Sequence, residues 1–290
     1  NWPADSLPFK RTNLVIHLLN GILLGVLVSL ILKCVEIRGR ANQMIALVVA
    51  AIWLLHPFLV STTLYIVQRM AQLSTMFMFA GVATYLHGRM QLTFDADAAQ
   101  RKRAYIIMTV AVGLFTLLAM VSKENGILLP LLVGVVEITI VASQKERFPA
   151  LNRYFAFVMM ILPLIVITLY LGEKFTRDNF FEILPPREFS IYERVLTQGR
   201  ILVDYMQHWF LPKLYTTGVF QDHFIKSTGW LTPVTTLLSW MFHLALIGLA
   251  FAKRRQFPLF ALAVLFFYAN HLLESTVVSL ELYFEHRNYV

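Results

Sequence analysis

The sequence predicts an all-α, polytopic membrane protein of about eight transmembrane helices, on three observations. Hydrophobic residues make up 58% of the 290 and charged residues only 14%, against roughly one quarter charged in an average soluble domain. Apolar stretches long enough to cross about 30 Å of hydrocarbon recur along the chain. The connections between them alternate between strongly basic and weakly basic, which gives the thread a readable orientation.

The first crossing is expected over about 13–32, a mostly apolar run that stops at Lys33. The second, 44–66, carries His56-Pro57 inside it, and a proline there frees a backbone carbonyl and kinks the helix. Gln68-Arg69 then makes a tight turn into the third, 70–87. A fourth at 105–121 and a fifth at 126–142 are joined by only Ser122-Lys123-Glu124-Asn125, and a sixth runs over 154–171. The seventh and eighth are placed at 230–251 and 257–273. Four connections gather the basic residues: Lys33, Arg38 and Arg40; Arg89, Arg101, Lys102 and Arg103; Lys145, Arg147 and Arg153; Lys253, Arg254 and Arg255. These fall on alternate loops and are assigned to the cytoplasm, so the other connections and the tail after Glu274 face outward.

The whole chain, 1–290, reads as one transmembrane domain with an extracytoplasmic loop at 172–229. Inside that loop Ile191, Val195, Leu202, Tyr205, Met206 and Trp209 recur at helical spacing, while Glu193, Arg194, Gln198, Arg200 and Asp204 fall elsewhere on the wheel. An amphipathic helix lying on the outer membrane surface is expected, bounded by Pro185-Pro186 and Pro212. The chain begins at Asn1 without a signal-peptide pattern and ends straight after a charged motif, as an excerpt of a longer protein would.

The formal charge of +8 and pI near 9.6 would suggest nucleic acid in a soluble chain. Here the basic residues flank membrane segments, so no nucleic-acid partner is expected. The one cysteine, Cys34, excludes an intrachain disulfide and reads as a small apolar filler.

Three polar clusters fall on the outward face. His56-Pro57 with Gln68-Arg69 is the first; His56 is either a packed, hydrogen-bonded kink residue or one facing a cavity, and Arg69 either snorkels or binds a ligand. The second is Ser122–Gly126, a turn so short that Lys123 and Glu124 must sit at the hydrocarbon boundary, where a lysine is a good point charge for a lipid phosphate. The third is Glu274-Ser275 followed by Glu281 and Glu285-His286-Arg287-Asn288-Tyr289, interleaved with Leu280, Leu282, Tyr283 and Phe284. A carboxylate beside an arginine there is a general base, an acceptor-orienting group or an ion-pair strut. The eight histidines (17, 56, 87, 208, 223, 243, 271 and 286) show no HxxxH or HExxH spacing, so no dedicated protein metal site is expected. The phosphate-cradling GxxxxGK[ST], the dinucleotide GxGxxG and the nucleophile-elbow GxSxG are also absent.

NLVIHLLNGIL at 13–23, LLHP at 54–57, VQRMAQLSTMF at 67–77, SKENG at 122–126, ERVLTQGRILVDY at 193–205 and YFEHRNY at 283–289 together resemble bacterial relatives of the TMTC-type membrane glycosyltransferases. These are GT-C-fold proteins, related in architecture to protein O-mannosyltransferases and often followed by tetratricopeptide repeats. The resemblance spans the chain. It implies a transferase in a bacterial inner membrane that takes sugar from a polyprenyl-phosphate carrier, among membrane lipid, and passes it to a protein or glycan hydroxyl on the periplasmic side. Carried onto this sequence, Lys123 and Arg69 are expected to grip the donor phosphate with Glu124 orienting the lysine, and Arg287 to bind phosphate or acceptor. Glu285 and Glu124 are the catalytic carboxylates, and His56, Gln68 and His286 shape the acceptor site. A divalent cation is a family option, with no metal ligand assigned here. The family places an acid in its first outer loop, ahead of the first crossing seen in this chain, where Asp5 is the sole acid. The rival classes are a transporter or flippase of lipid-linked sugars, an oligosaccharide polymerase or ligase, and a non-catalytic membrane scaffold. A transporter predicts ionisable groups near mid-membrane and inverted repeats.

Overall fold

The computed structural model describes residues 6–177, 180–183, 188–211, 224–278 and 280–290. Asp5, Pro185-Pro186, Pro212 and His223 lie outside the described residues. Among those described there are helices and turns and no strand. Five helical stretches are long and apolar enough to cross a bilayer: α1 (Leu7–Cys34), α5 (Ala98–Ser122), Glu124–Val141, Arg153–Thr176 and α10 (Thr235–Lys253). A broken pair raises the number to six. Gly39–Leu54 (α2) and Pro57–Leu64, whose last turn is α3 (Val60–Leu64), are bent by 52°. The break falls at Leu55-His56, where Pro57 supplies no N–H and restarts the chain as a short 3₁₀ turn.

The expected third crossing is a helix, α4 (Arg69–Gln91), but its hydropathy is below that of a lipid-facing span. The reason is its position. It packs along α1 on one side and α5 on the other, and Gln72, Ser74, Thr75 and Arg89 are all buried against protein. A helix walled by other helices needs no apolar face toward lipid. Glu124–Val141 begins as a 3₁₀ turn, continues as α6 (Leu129–Val136) and ends in a π-turn from Glu137 to Val141. Arg153–Thr176 starts as α7 (Arg153–Ala156) and passes through a π-turn into α8 (Leu162–Arg177). The last predicted crossing is shorter than expected, α11 (Pro258–Asn270). Large apolar side chains stand exposed around this bundle, among them Leu47, Leu117, Val121 and Leu169. Such a belt suits hydrocarbon, whereas a soluble monomer rarely shows a large exposed apolar patch.

The helix expected within the long loop is α9 (Ile191–Phe210), opened by a capping box in which Ser190 and Glu193 satisfy each other's backbone N–H. Its polar residues are not on a wet face. Arg194 and Gln198 are fully buried and Asp204 half-buried, because the C-terminal stretch 274–284 lies on that side of the helix and takes its hydrogen bonds. Polarity on this side of the helix serves a chain segment that, over the described residues 274–278 and 280–284, has no regular ladder of its own.

That stretch then runs into the bundle. Tyr289 is wholly buried, its hydroxyl donating to His17 Nδ1 at 2.7 Å, while His17 Nε2 donates to the carbonyl of Leu54 at 3.0 Å. Trp53 stacks on the His17 ring. At the other end of the bundle Arg89 pairs with Glu137 at 2.8 Å and donates to the carbonyl of Pro149 at 2.7 Å. Cys34 is a buried free thiol, as its filler role requires.

Candidate functional site

Lys123 ends α5. Its N–H closes the last turn on the Ala119 carbonyl and its own carbonyl accepts from the Gly126 N–H, both at 2.9 Å. Gly126 is required by close approach. A Cβ there would overlap the carbonyl carbon of Ala119 and the nitrogen of Met120, backbone atoms that cannot step aside. The turn is therefore pinned against the helix it leaves, and the Lys123 side chain points into protein, 7% exposed.

The Lys123 ammonium meets Glu274 Oε1 at 2.5 Å, and Arg287 Nε stands 3.7 Å from Glu274 Oε2. Two cations thus share one carboxylate, with all three residues buried. Burial alone would raise the Glu274 carboxyl, but the charges of Lys123 and Arg287 outweigh it and hold the group at about 2. Arg287 is fixed further by donating to the carbonyls of Leu282 at 2.9 Å and Glu281 at 2.7 Å, with its guanidinium over the Phe284 ring.

Glu274 is held by α9. Arg194 donates to the carbonyls of Glu274 at 2.5 Å and Leu280 at 2.7 Å, and to that of Thr276. Four residues on, Gln198 donates to the Leu282 carbonyl, and Tyr205 both donates to the Phe284 carbonyl and accepts from its N–H. One stripe of one helix therefore sets the path of the segment that carries both the acid and the second cation.

The expected site residues divide into two sets. Lys123, Arg287, Glu285 and His286 come together. Glu285 is buried on the short 3₁₀ turn with Arg287, and His286 stacks on Phe284. Burial first, then the charge of Lys123, lowers the His286 imidazole to about 3, so it is uncharged at neutral pH. Arg69 is committed elsewhere, donating to Asn13 Oδ1 at 2.9 Å and the Phe9 carbonyl at 3.1 Å on α1. His56 caps the Pro57 turn. Its Nδ1 accepts from the Phe58 N–H and its Nε2 donates to the Trp209 carbonyl, which leaves the ring no nitrogen for a ligand. Gln68 is buried, with Oε1 lacking a donor. Glu124 is exposed, and the acid that answers Lys123 is Glu274, which sequence reasoning placed in the third cluster but gave no role. Its pairing joins the second cluster to the third, and nothing in local spacing signals that.

A cavity of about 450 Å³ opens beside these groups. Its polar wall is Glu124, Asn125 and Glu274, and its apolar wall includes Met120, Ile127, Tyr170 and Leu273. A larger apolar hollow, about 1360 Å³, lies between α1, α2 and α4 on one side and α9, α10 and α11 on the other. Trp53, Phe79, Phe242 and Phe267 line it, with Arg200 and Asp204 among its few charged residues. Among the described residues no group of three or more His, Cys, Asp or Glu side chains is arranged to hold a metal ion. Comparisons with protein-family models, with curated proteins and with solved structures give no match.

Proposed function

We propose that this chain is the membrane domain of a GT-C-type glycosyltransferase that moves a sugar from a polyprenyl-phosphate carrier to a protein or glycan hydroxyl on the extracytoplasmic side. The observation that carries the reading is the Lys123–Glu274–Arg287 cluster, two buried cations against one carboxylate, of which Glu274 lines a 450 Å³ cavity and the two cations stand behind it. Buried cations in low dielectric stabilise a phosphate far more than surface ones. The 1360 Å³ apolar hollow offers walls to an isoprenoid chain.

In this reading the acceptor hydroxyl loses its proton to a carboxylate as its oxygen bonds to the anomeric carbon. The bond from that carbon to the phosphate oxygen breaks, and the carrier phosphate leaves with the electron pair. Glu124, exposed and lining the cavity, has no ion pair among the described residues and takes the proton. Glu274 is too firmly ionised and paired to be an effective base at neutral pH, and instead holds Lys123 in place. Lys123 and Arg287 meet the charge that builds on the departing phosphate. Arg69, hydrogen-bonded to α1, is a strut in this account.

The test is transfer from radiolabelled polyprenyl-phosphate sugar to candidate acceptors by the purified full-length protein, wild type against Lys123→Ala and Glu124→Gln. Transfer by wild type and its loss in both variants, with unchanged expression, supports the reading. Wild-type turnover in Lys123→Ala removes the phosphate role.

A further inference from the structure

The walls of the large apolar hollow run from one end of the α10–α11 hairpin to the other. Thr235 lines it from the first turn of α10, Phe242 and Leu246 from further along, and Leu259 and Phe260 from the first turn of α11, at the opposite end of the hairpin. With 19 residues in α10 and about 1.5 Å of rise for each, the hollow is about 27 Å long. Across from the hairpin, Leu24, Leu27, Val28 and Ile31 line it from one face of α1. The acyl chains of a bilayer phospholipid cover half of a hydrocarbon core about 30 Å thick. The hollow is therefore longer than one leaflet and suits a chain longer than those of the surrounding lipid.

Its polar end is set by α9, where Arg200, Asp204 and Gln207 line it together at the spacing of successive turns. Arg200 is tied to the start of α10. Its Nη1 donates to the Ile225 carbonyl at 2.8 Å and to the Ser227 hydroxyl at 3.4 Å, and Thr236 donates to that same hydroxyl at 2.8 Å. The guanidinium lies over the ring of Phe224, itself a lining residue, 5.1 Å from the centroid. Arg200 is the one cation in the lining, and among the described residues it forms no ion pair and its Nε and Nη2 have no acceptor. Asp204, the one anion there, is already answered: the Tyr283 hydroxyl donates to it at 2.8 Å and His208 Nδ1 stands 3.3 Å away. The charge left without a partner is positive.

We infer that the hollow is a holding site for a polyprenyl phosphate, its phosphate on Arg200 and its isoprenoid chain running between α1 and the α10–α11 hairpin toward Leu259. The inference rests on the lipid carrier of the reading above and gives that carrier a second phosphate position, since neither Lys123 nor Arg287 lines the hollow. A planar guanidinium with donors to spare matches two oxygens of one phosphate. A diacyl phospholipid fits less well, because its chains end near the midplane while the walls continue.

The test is binding to the full-length protein in detergent, read by native mass spectrometry with four probes: an eleven-unit polyprenyl phosphate, a three-unit polyprenyl phosphate, the eleven-unit polyprenol and dioleoyl phosphatidate. Wild type is expected to hold the long phosphate about tenfold more tightly than each of the others. Arg200→Gln should bring the long phosphate down to the level of the polyprenol and leave polyprenol binding unchanged. Leu246→Trp, which obstructs the hollow part-way along from a half-buried position, should bring the long phosphate down to the level of the three-unit chain, and serves where Arg200→Gln does not fold. Equal binding of long and short phosphates by wild type, or of phosphate and polyprenol, overturns the site. Phosphatidate held as tightly as the long phosphate overturns it too, and makes the occupant a bilayer phospholipid. Lys123→Ala separates the two ideas: it should abolish transfer and keep the wild-type order of binding. Loss of the phosphate preference in Lys123→Ala but not in Arg200→Gln would place the phosphate at the ion cluster alone and remove the holding site. The expected binding without any transfer by wild type would remove the transferase reading and leave the holding site standing.

Discussion

Arg194 donates to the backbone carbonyl of Glu274 at 2.5 Å, so a helix in the middle of the chain fixes the acid that meets Lys123. The bond is to main chain, and the Glu274 carboxylate is left for the cations. Arg194 itself is fully buried, and with its further bonds to Thr276 and Leu280 it takes up three carbonyls of a stretch that has no sheet or helix to pair with.

Arg194→Met should therefore free three buried carbonyls at once. Hydrogen bonds from a charged donor contribute roughly 1.5–3 kcal/mol each, so the 274–284 stretch should lose its order while the transmembrane helices persist. Hydrogen exchange in detergent checks this: protection should fall in 274–284 and hold in α5. Arg194→Lys should rescue little, because an ammonium lacks the planar fork that reaches three carbonyls.

Glu274 sets a pH dependence. Its folded carboxyl titrates near 2, below the ordinary value of 4.5, because Lys123 and Arg287 outweigh burial. A group lowered on folding contributes stability that is complete above its unfolded value and is lost as pH falls through the folded one. Wild type should exceed Glu274→Gln in thermal stability at pH 6, with the gap closing between about pH 4.5 and pH 2. A gap that widens on acidification would contradict the pairing.

Gly126→Ala tests the turn that buries Lys123. The added methyl meets backbone of Ala119 and Met120, and overpacking of this kind costs on the order of 1–3 kcal/mol or more. The variant should show a lower melting temperature than Gly113→Ala, where nothing stands within 4 Å. A comparable Tm for the two would mean that the turn has room.

Much of this could be read from the sequence, and the failures have a common cause. Apolar length found the helices, Pro57 found the break, and helical spacing with a capping box found α9. What local pattern cannot supply is the partner. Arg194 and Gln198 looked like a wet face because a polar stripe on a wheel has the same signature whether water or a carbonyl-rich strand of chain covers it. Arg69 looked available because the hydrogen bonds that occupy it come from Phe9 and Asn13 on another helix. α4 departs from the hydropathy of a crossing because other helices wall it in, with Gln72 donating to the Thr62 carbonyl and Arg89 to Glu137. His17, Leu54 and Tyr289, drawn from three separate stretches of the resemblance, meet in one hydrogen-bonded set.

The Arg89–Glu137 pair at the far end of the bundle should behave as a strut. Arg89 is 2% exposed and holds Glu137, Pro149 and the face of Phe148, while Tyr85 donates to the same carboxylate at 2.8 Å. Removing one charge of a buried pair costs about 3–5 kcal/mol, whereas removing both with apolar groups of like size is often near neutral. Arg89→Met should thus destabilise strongly and Arg89→Met with Glu137→Leu should recover most of the loss. A double variant as weak as the sum of the singles would show two independent roles.

Sidedness is the last prediction, and the proposed chemistry depends on it. Alternating basic connections assign Arg147 and Arg254 to the cytoplasm and Glu124 to the opposite face. Glu124 is exposed and Arg254 half-exposed, so cysteines can be introduced there in a Cys34→Ala background. With an impermeant maleimide on intact cells, Glu124→Cys should label and Arg254→Cys should label only after permeabilisation. Donor lipids carrying sugar outward and acceptors beyond the membrane would then meet Lys123 on the correct side. Labelling of Arg254→Cys in sealed cells, with Glu124→Cys protected, would turn the bundle over and place the Lys123–Glu274 pair against the cytosol.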